Sequence, residues 1–423
     1  MNVRILPGPW SGKVDPVISS KSQGHRALIC AALTGDAVRI RNVSGSEDIR
    51  ATAGCLRALG CDLREENGGI DIRPGRRTAE DGTVAALDCG ESGSTLRFLL
   101  PVAAALGVEA AFTGRGKLAQ RPLSPLYEQM AAHGARLSPQ GAFPLRASGR
   151  LTPGVYTLAG NVSSQFISGL LMALPLLAGD SEIRIAGKME SGPYVEMTLE
   201  MLGRFGVRAE RTEDGFRVPG GQRYRSPGEI TVEGDWSGAA FFLAAGAFSE
   251  AGVTCAPLNL RSSQGDRRIL ALLRGFGAIV EEKDGEARVR RGTLKGMEID
   301  IADIPDLAPV LAAVAAHAEG ETRLTHIARL RLKESDRVES VIRMIRGLGG
   351  QAEAGADEMR IRGGALAGGT VDSFGDHRIA MAAAVAAIAA KGPVTIIGAE
   401  AVNKSYPGFW EEREKLCALR EST

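Results

Sequence analysis

Six short polar clusters interrupt an otherwise apolar pattern, and they hold the side chains able to do chemistry. They read Lys21-Ser22-Gln23-Gly24-His25-Arg26, Glu91-Ser92-Gly93-Ser94-Thr95-Leu96-Arg97, Ser163-Ser164-Gln165, Asp235-Trp236-Ser237, Ile304-Pro305-Asp306 and Asp376-His377-Arg378. Each opens a strongly apolar helical stretch. Capping accounts for one small polar residue per helix start, and for all of Asp235–Ser237. It does not account for Lys21, Arg26, Arg97 and Arg378, cations in or near first turns, where the helix dipole disfavours positive charge. A small anion held between these cations and the helix N-termini removes the conflict, because such termini bind phosphate and carboxylate.

Further polar clusters follow the strands after the apolar helices: Gln120-Arg121-Pro122, Ser191-Gly192-Pro193-Tyr194, Lys333-Glu334-Ser335-Asp336-Arg337 and Asn403-Lys404-Ser405. The run 333–337 reads equally as a solvated charged turn. Its place in the repeat, on the same edge as the helix starts, favours a functional role. The whole set is rich in cations and holds few carboxylates: Asp306 and Glu334, with Asp376 and Glu91. Cations hold anions, and isolated carboxylates among them suit proton transfer.

Other chemistries lack their signatures. There is no G-x-x-x-x-G-K-[ST] loop, no G-x-G-x-x-G after a strand and no H-E-x-x-H. No serine sits in a nucleophile elbow. The five histidines lack metal-ligand spacing, and His133 and His317 fall in helical stretches where a structural role is expected.

The elements that position these clusters form a repeat. Gly60, Gly134, Gly206, Gly277 and Gly349 each end an amphipathic helix and precede a strand–turn–strand, at intervals of 74, 72, 71 and 72 residues. A helix ending in a left-handed residue requires such glycines. Interleaved with them, six apolar stretches of 12 to 18 residues end at Gly35, Gly107, Gly179, Gly252, Gly320 and Gly392. Helices apolar on nearly every face are buried. One unit therefore reads strand, buried helix, strand, outer helix, strand–turn–strand. The sixth copy stops after its outer helix, and the N-terminal strand Asn2–Leu6 is the candidate to complete it. That completion predicts one domain over 14–234 and another made of 1–13 and 235–423, with three units each.

A chain of 423 residues is too long for one core, so two domains are also the prior expectation. Lys plus Arg number 51 against 50 for Asp plus Glu, which removes any general case for nucleic-acid or membrane-surface binding. The six cysteines are scattered, as in reduced cytosolic proteins. The N-terminus has no apolar core of a secretory signal, and the most apolar run, 379–390, is too short to span a bilayer. The expected location is the cytoplasm.

These clusters, taken in order, resemble a known family. K-S-x-x-x-R at 21–26, E-S-G-S-T-L-R-F at 91–98, Q-R-P-L at 120–123, N-V-S-S-Q-F at 161–166 and S-G-P-Y at 191–194 are similar to motifs of the 5-enolpyruvylshikimate-3-phosphate synthase family. So are I-P-D-L-A-P at 304–309, R-L-K-E-S-D-R at 331–337, G-D-H-R-I-A-M at 375–381 and N-K-S-Y-P-G-F at 403–409. The resemblance spans essentially the whole chain. It implies two inside-out α/β domains, each of three βαββαβ units with buried parallel helices. It also implies enolpyruvyl transfer from phosphoenolpyruvate to the 5-hydroxyl of shikimate 3-phosphate, in a monomer with no organic cofactor and no metal.

The resemblance further implies residue roles. Ser22 and Arg26 would hold the shikimate carboxylate; Ser163, Ser164 and Ser191 its phosphate, with Tyr194 nearby and Lys333 reaching the same ligand. Phosphoenolpyruvate would lie among Lys21, the Gly93 backbone, Arg121, Arg337, Arg378 and Lys404. Gln165 and Lys21 would touch both substrates. Asp306 would contact the ring hydroxyls and remove the 5-OH proton, Glu334 would protonate C3 of phosphoenolpyruvate, and Lys21 would share the proton work. Glu91 and Arg329 stand where the family often has Asn; Glu91 is expected to pair with a nearby cation, and Arg329 is a candidate phosphate contact. Inhibition by glyphosate, competitive with phosphoenolpyruvate, is expected from Gly93 and the S-S-Q-F sequence.

Two relatives of the same architecture are the alternatives. A UDP-N-acetylglucosamine enolpyruvyl transferase would carry Cys in the loop before its Arg-Pro and Lys-Asn near the start, whereas this chain has T-G-R-G-K-L-A-Q-R-P-L at 113–123 and Lys21-Ser22. An RNA 3′-phosphate cyclase would need a nucleotide-binding His. A non-catalytic anion-binding protein would gain nothing from Asp306 and Glu334.

Overall fold

The computed structural model describes residues 1–66, 68–75 and 83–418. It has two compact units, Lys21–Val232 and the discontinuous pair Met1–Ser20 with Glu233–Thr423. The junctions lie at 20/21 and 232/233, against 13/14 and 234/235 from the sequence. Gly12–Val14 pairs in parallel with Val253–Cys255, which places the residues around 14 in the discontinuous unit.

The helices of Lys21–Val232 are α1 (Lys21–Ala32), α2 (Glu47–Ala58), α3 (Gly93–Leu106), α4 (Leu126–Ala132), α5 (Ser164–Ala173) and α6 (Gly192–Arg204). Those of the other unit are α7 (Trp236–Gly246), α8 (Ile269–Phe276), α9 (Ala308–Ala315), α10 (Arg337–Gly347), α11 (His377–Ala386) and α12 (Phe409–Ala418). The odd-numbered helices are buried on nearly every face, as in α3, where 12 of 14 residues are inaccessible. The even-numbered ones bury one stripe, as in α10 through Val338, Val341, Ile342, Met344 and Ile345. Burial of each such side chain contributes about 1.5–3 kcal/mol, so the three inner helices of each unit are held by packing rather than by propensity.

One repeat shows the pattern. Ala85–Asp88 pairs in parallel with Ala110–Thr113 across α3, and Ala110–Phe112 pairs antiparallel with Leu145–Ala147. Leu145–Gly149 returns in a hairpin with Ala135–Leu137. In the sixth sheet Asn2–Ile5 pairs antiparallel with Val394–Ile397, so the N-terminal strand does complete the last copy. Gly60, Gly134, Gly206, Gly277 and Gly349 have φ of 93, 95, 72, 105 and 83°, the left-handed helix ends that the spacing predicts.

The buried helices are shorter than the apolar stretches that encode them, from 8 residues in α9 to 14 in α3. Their last turns tighten to 3-10 geometry at Leu174–Leu176 and Ala387–Ala389, the first around Pro175, which has no N–H for an α-helical bond. His133 and His317 are structural as expected: His133 bonds the Gln129 carbonyl and stacks on Tyr156 at 4.0 Å, and His317 bonds the Ala386 carbonyl. No helix among the described residues is long and apolar enough to cross a membrane.

Candidate active site

In Lys21–Val232 the polar clusters do lie at the starts of α1, α3, α5 and α6. Lys21 is the first residue of α1, and its Nζ donates to Asp48 Oδ2 at 2.7 Å, with both side chains largely buried. Asp48 lies in the first turn of α2 and was not singled out by the sequence. Its signal there, Ser46-Glu47-Asp48, is indistinguishable from an ordinary helix cap. Arg26 is 2% exposed and bonded through most of its guanidinium: Nε to Thr198 Oγ1 at 2.8 Å, Nη1 to the Ser22 carbonyl at 2.7 Å, and Nη2 to the Tyr194 carbonyl at 2.8 Å. Burial is the chief cause of its pKa being lowered to about 10, which still leaves it charged.

Ser92 caps α3 by accepting from the Thr95 amide, and Gly93 follows it. A Cβ on Gly93 would stand 2.7 Å from Arg121 Nη1, so the Arg121 guanidinium lies directly against this helix start. Arg97 donates Nη1 to Gln165 Oε1 at 2.7 Å and Nη2 to the Pro122 carbonyl at 2.9 Å. Gln165 in turn donates to Ser94 Oγ at 2.9 Å. Arg97, read from sequence as an anion-holding cation, thus ties α3, α5 and the Gln120–Pro122 segment together. The close approach of α5 to α3 needs Gly169, where a Cβ would collide with the Arg97 carbonyl. Ser163 caps α5 through the Gln165 amide, with Ser164 beside it, and Ser191 stands at the N-cap position of α6 with φ 57°, 1% exposed, its side chain making no capping bond to the helix. A non-glycine residue held in that conformation is strained and over-determined by its surroundings. Glu91 packs its carboxyl group on Gly116.

The other unit gathers the carboxylates, which are not isolated as the sequence suggested. Arg337, first residue of α10 and 1% exposed, donates Nε to Asp376 at 2.8 Å, Nη1 to Asp306 at 2.7 Å and Nη2 to Glu334 at 2.8 Å. Arg378 donates Nη2 to the second oxygen of Asp306 at 2.8 Å, and Lys333 Nζ lies 3.5 Å from the first. Asp376 caps α11 through the Arg378 amide. Asp306 stands two residues before the first of α9, next to its N-cap Leu307, and faces these cations. The run 333–337 is therefore part of a buried ion-pair cluster rather than a solvated turn, with Ser335 and Arg337 both buried.

Charge follows geometry. Burial raises the Asp306 carboxyl, but Arg378, Lys333 and Arg337 outweigh it and hold the group well below the usual range, with Glu334 opposing. Burial lowers Lys333 to about 8 against the opposing pull of Asp306, and the cations Arg337 and Arg329 push the same way as burial. Lys404, in the 3-10 turn Ala399–Lys404, is 5% exposed, and Arg329 is buried in the turn Ala328–Leu332. Sequence reading also missed Asp266, buried and raised to about 7 chiefly by burial and by the charge of Asp306, with Ser237 as its hydroxyl partner. Among the described residues there is no group of three or more His, Cys, Asp or Glu that could hold a metal ion.

Residues 6–412 match the family described as EPSP synthase (3-phosphoshikimate 1-carboxyvinyltransferase). The chain belongs to the EPSP synthase family. Within it, the chain is 42% identical over 417 residues to the 3-phosphoshikimate 1-carboxyvinyltransferase of Clostridium kluyveri, covering 98% of this chain and 97% of that one. It is 38% identical over 406 residues to the protein of the same name from Methanocorpusculum labreanum, covering 95% and 96%. Among solved structures, EPSP synthase from Acinetobacter baumannii matches with a TM-score of 0.80 at 28% identity, over 98% of both chains. The enolpyruvyl transferase NikO from Streptomyces tendae shares the fold at a TM-score of 0.76 and 18% identity. EPSP synthase membership agrees with the six-repeat architecture, and the two-unit α/β fold expected of inside-out domains is the fold of these neighbours.

Proposed function

We propose that this chain transfers the enolpyruvyl group of phosphoenolpyruvate to the 5-hydroxyl of shikimate 3-phosphate, releasing phosphate, as a 3-phosphoshikimate 1-carboxyvinyltransferase of aromatic amino-acid biosynthesis. The observation that carries this reading is the Asp306 carboxylate clamped between Arg337 and Arg378 in a chain of this family. The clamp combines a base with cations that anions can draw away. Both substrates carry a phosphate and a carboxylate, which charge-assisted hydrogen bonds hold well.

Lys21, Ser22, Arg26, Ser163, Ser164, Gln165, Ser191, Tyr194, Asp306 and Lys333 bind shikimate 3-phosphate in this reading. Lys21, the Gly93 amide, Arg121, Gln165, Arg337, Arg378 and Lys404 bind phosphoenolpyruvate. When its anionic groups engage Arg337 and Arg378, Asp306 loses the charges that hold its pKa down and becomes a stronger base. Asp306 takes the 5-OH proton as that oxygen attacks C2, and Glu334 protonates C3 to give a tetrahedral ketal phosphate. Loss of phosphate, with return of a C3 proton to Glu334 and of the Asp306 proton to the leaving group, restores the double bond. Lys21, paired with Asp48, supports the proton transfers. Glyphosate competes with phosphoenolpyruvate; unaffected rates at millimolar glyphosate would contradict this.

The protein acts in this reading as a cytoplasmic monomer, which its free cysteines support for location and light scattering tests for mass. A UDP-N-acetylglucosamine acceptor is not favoured, because the loop at 113–123 has no Cys and the curated relatives carry the shikimate enzyme's name. Phosphate release from phosphoenolpyruvate, measured with each acceptor, tests the assignment. Turnover is expected with shikimate 3-phosphate alone; turnover with the sugar nucleotide in its place would overturn it.

A further inference from the structure

Four polar side chains sit in the core of Lys21–Val232, where an apolar set would pack as well. His25 in α1, Thr52 in α2, and Ser92 and Thr95 at the start of α3 are all 0% exposed. His25 Nδ1 lies 2.7 Å from Thr52 Oγ1, Thr52 Oγ1 lies 2.7 Å from Thr95 Oγ1, and Thr95 Oγ1 donates to Ser92 Oγ at 2.7 Å. The fifth residues of the buried helices in the other unit are Ala240, Ala312 and Met381, so the fold does not demand polarity there.

Proton counting orders the chain. Each hydroxyl has one hydrogen to give. Thr95 gives its own to Ser92 at 2.7 Å, with the Asp48 carbonyl farther off at 3.5 Å; with that hydrogen committed, Thr52 donates to Thr95 and the Nδ1–H of His25 donates to Thr52. Burial keeps the ring neutral by lowering its pKa to about 3; Lys21 and Arg26 push the same way and Asp48 opposes. His25 is thereby held as the Nδ1–H tautomer, its ring edge-on to Phe98 at 6.4 Å.

Two members of the chain, Ser92 and Thr52, stand next to residues that hold or are assigned to phosphoenolpyruvate. Ser92 precedes Gly93, and the Asp48 that pairs with Lys21 sits one turn before Thr52 on α2. α1 approaches α2 closely at Gly24, where a Cβ would stand 2.9 Å from Ile49 Cδ1. We propose that His25, Thr52, Thr95 and Ser92 form an ordered hydrogen-bond chain that positions Gly93 and Lys21 for phosphoenolpyruvate. The inference rests on the proposed function for the ligand's identity. The chain's residues are positioning residues, since none touches the reacting atoms.

Thr52→Val keeps the shape and breaks the chain. It is expected to raise KM for phosphoenolpyruvate about tenfold, the effect of about 1.4 kcal/mol. KM for shikimate 3-phosphate, which shares Lys21 but is held also by Ser163, Ser164 and Ser191 at the starts of α5 and α6, rises less, by no more than about threefold. Thr52→Ser restores the wild-type constants. A folded Thr52→Val protein with both constants unchanged, or both raised alike, would overturn the proposal. Should Thr52→Val not fold, Thr95→Ala removes the same link from the α3 side and is read the same way. An imidazole 15N spectrum of the wild type is read independently of activity: the Nδ1–H tautomer of His25 is expected, and an Nε2–H ring overturns the chain. A wild type that does not turn over shikimate 3-phosphate defeats the functional reading instead, and the 15N result still stands for the chain.

Discussion

Asp306 accepts a hydrogen bond from Arg378 at 2.8 Å, although the two residues stand 72 positions apart at the starts of different buried helices. The remaining Asp306 oxygen accepts from Arg337, so a carboxylate proposed as a base is neutralised by cations proposed to bind substrate anions. Removing either proton-transfer group should therefore cost turnover. Asp306→Ala and Glu334→Gln are each expected to lower kcat by about 10²–10⁴-fold, the contribution of a placed acid or base. Steady-state phosphate release checks this, and near-normal turnover in either variant would remove its residue from the proton-transfer role.

Arg337 holds three carboxylates at once from a position 1% exposed. Arg337→Ala leaves Asp306, Glu334 and Asp376 facing one another in a low-dielectric site. Breaking a buried ion pair from one side costs about 3–5 kcal/mol, which lowers Tm by about 10 °C in a unit of this size. Arg337→Lys rescues little, because an ammonium cannot present donors to three partners in a plane. Thermal unfolding measures both.

Gly93→Ala places a methyl group 2.7 Å from Arg121 Nη1. The guanidinium must move, and phosphoenolpyruvate loses a positioned cation together with room beside the backbone. An increase in KM for phosphoenolpyruvate of about tenfold or more is expected, equivalent to about 1.4 kcal/mol, with KM for shikimate 3-phosphate little changed. Initial-rate kinetics with each substrate varied would show the split.

Lys333 is lowered to about 8, chiefly by burial. Below that pH it is charged and, in the proposed role, would attract the shikimate ligand; above it the charge is lost, while the ligand's phosphate, with a second pKa of about 6, no longer changes. The value of kcat/KM for shikimate 3-phosphate should thus fall as pH rises through 8, by up to about tenfold per unit. In Lys333→Arg the side chain stays charged and this limb should move to higher pH.

The repeat was readable in sequence because its markers are local. A left-handed helix end needs Gly, and a buried helix needs apolar residues on all faces, so Gly60 through Gly349 and the odd-numbered helices followed directly. The helix starts were readable too, since Lys21 and Arg378 break a rule about dipoles that acts within one turn. What escaped was side-chain pairing across elements. Asp48 as the partner of Lys21 lies 27 residues away, and Arg97 looks the same in sequence whether it holds an anion or Gln165. The gathering of Asp306, Glu334 and Asp376 on one guanidinium depends on three loops meeting. Asp266 gave no signal, because its raised pKa comes from burial and from Asp306, both tertiary facts.

The most direct test of the account is the isotopic content of the product formed in D2O from phosphoenolpyruvate and shikimate 3-phosphate. Addition makes C3 a methyl group bearing one solvent deuteron delivered by Glu334, and elimination removes a hydrogen from that freely rotating group. The account predicts deuterium in the enolpyruvyl methylene of the product by mass spectrometry. A product formed at a normal rate but free of deuterium would contradict it.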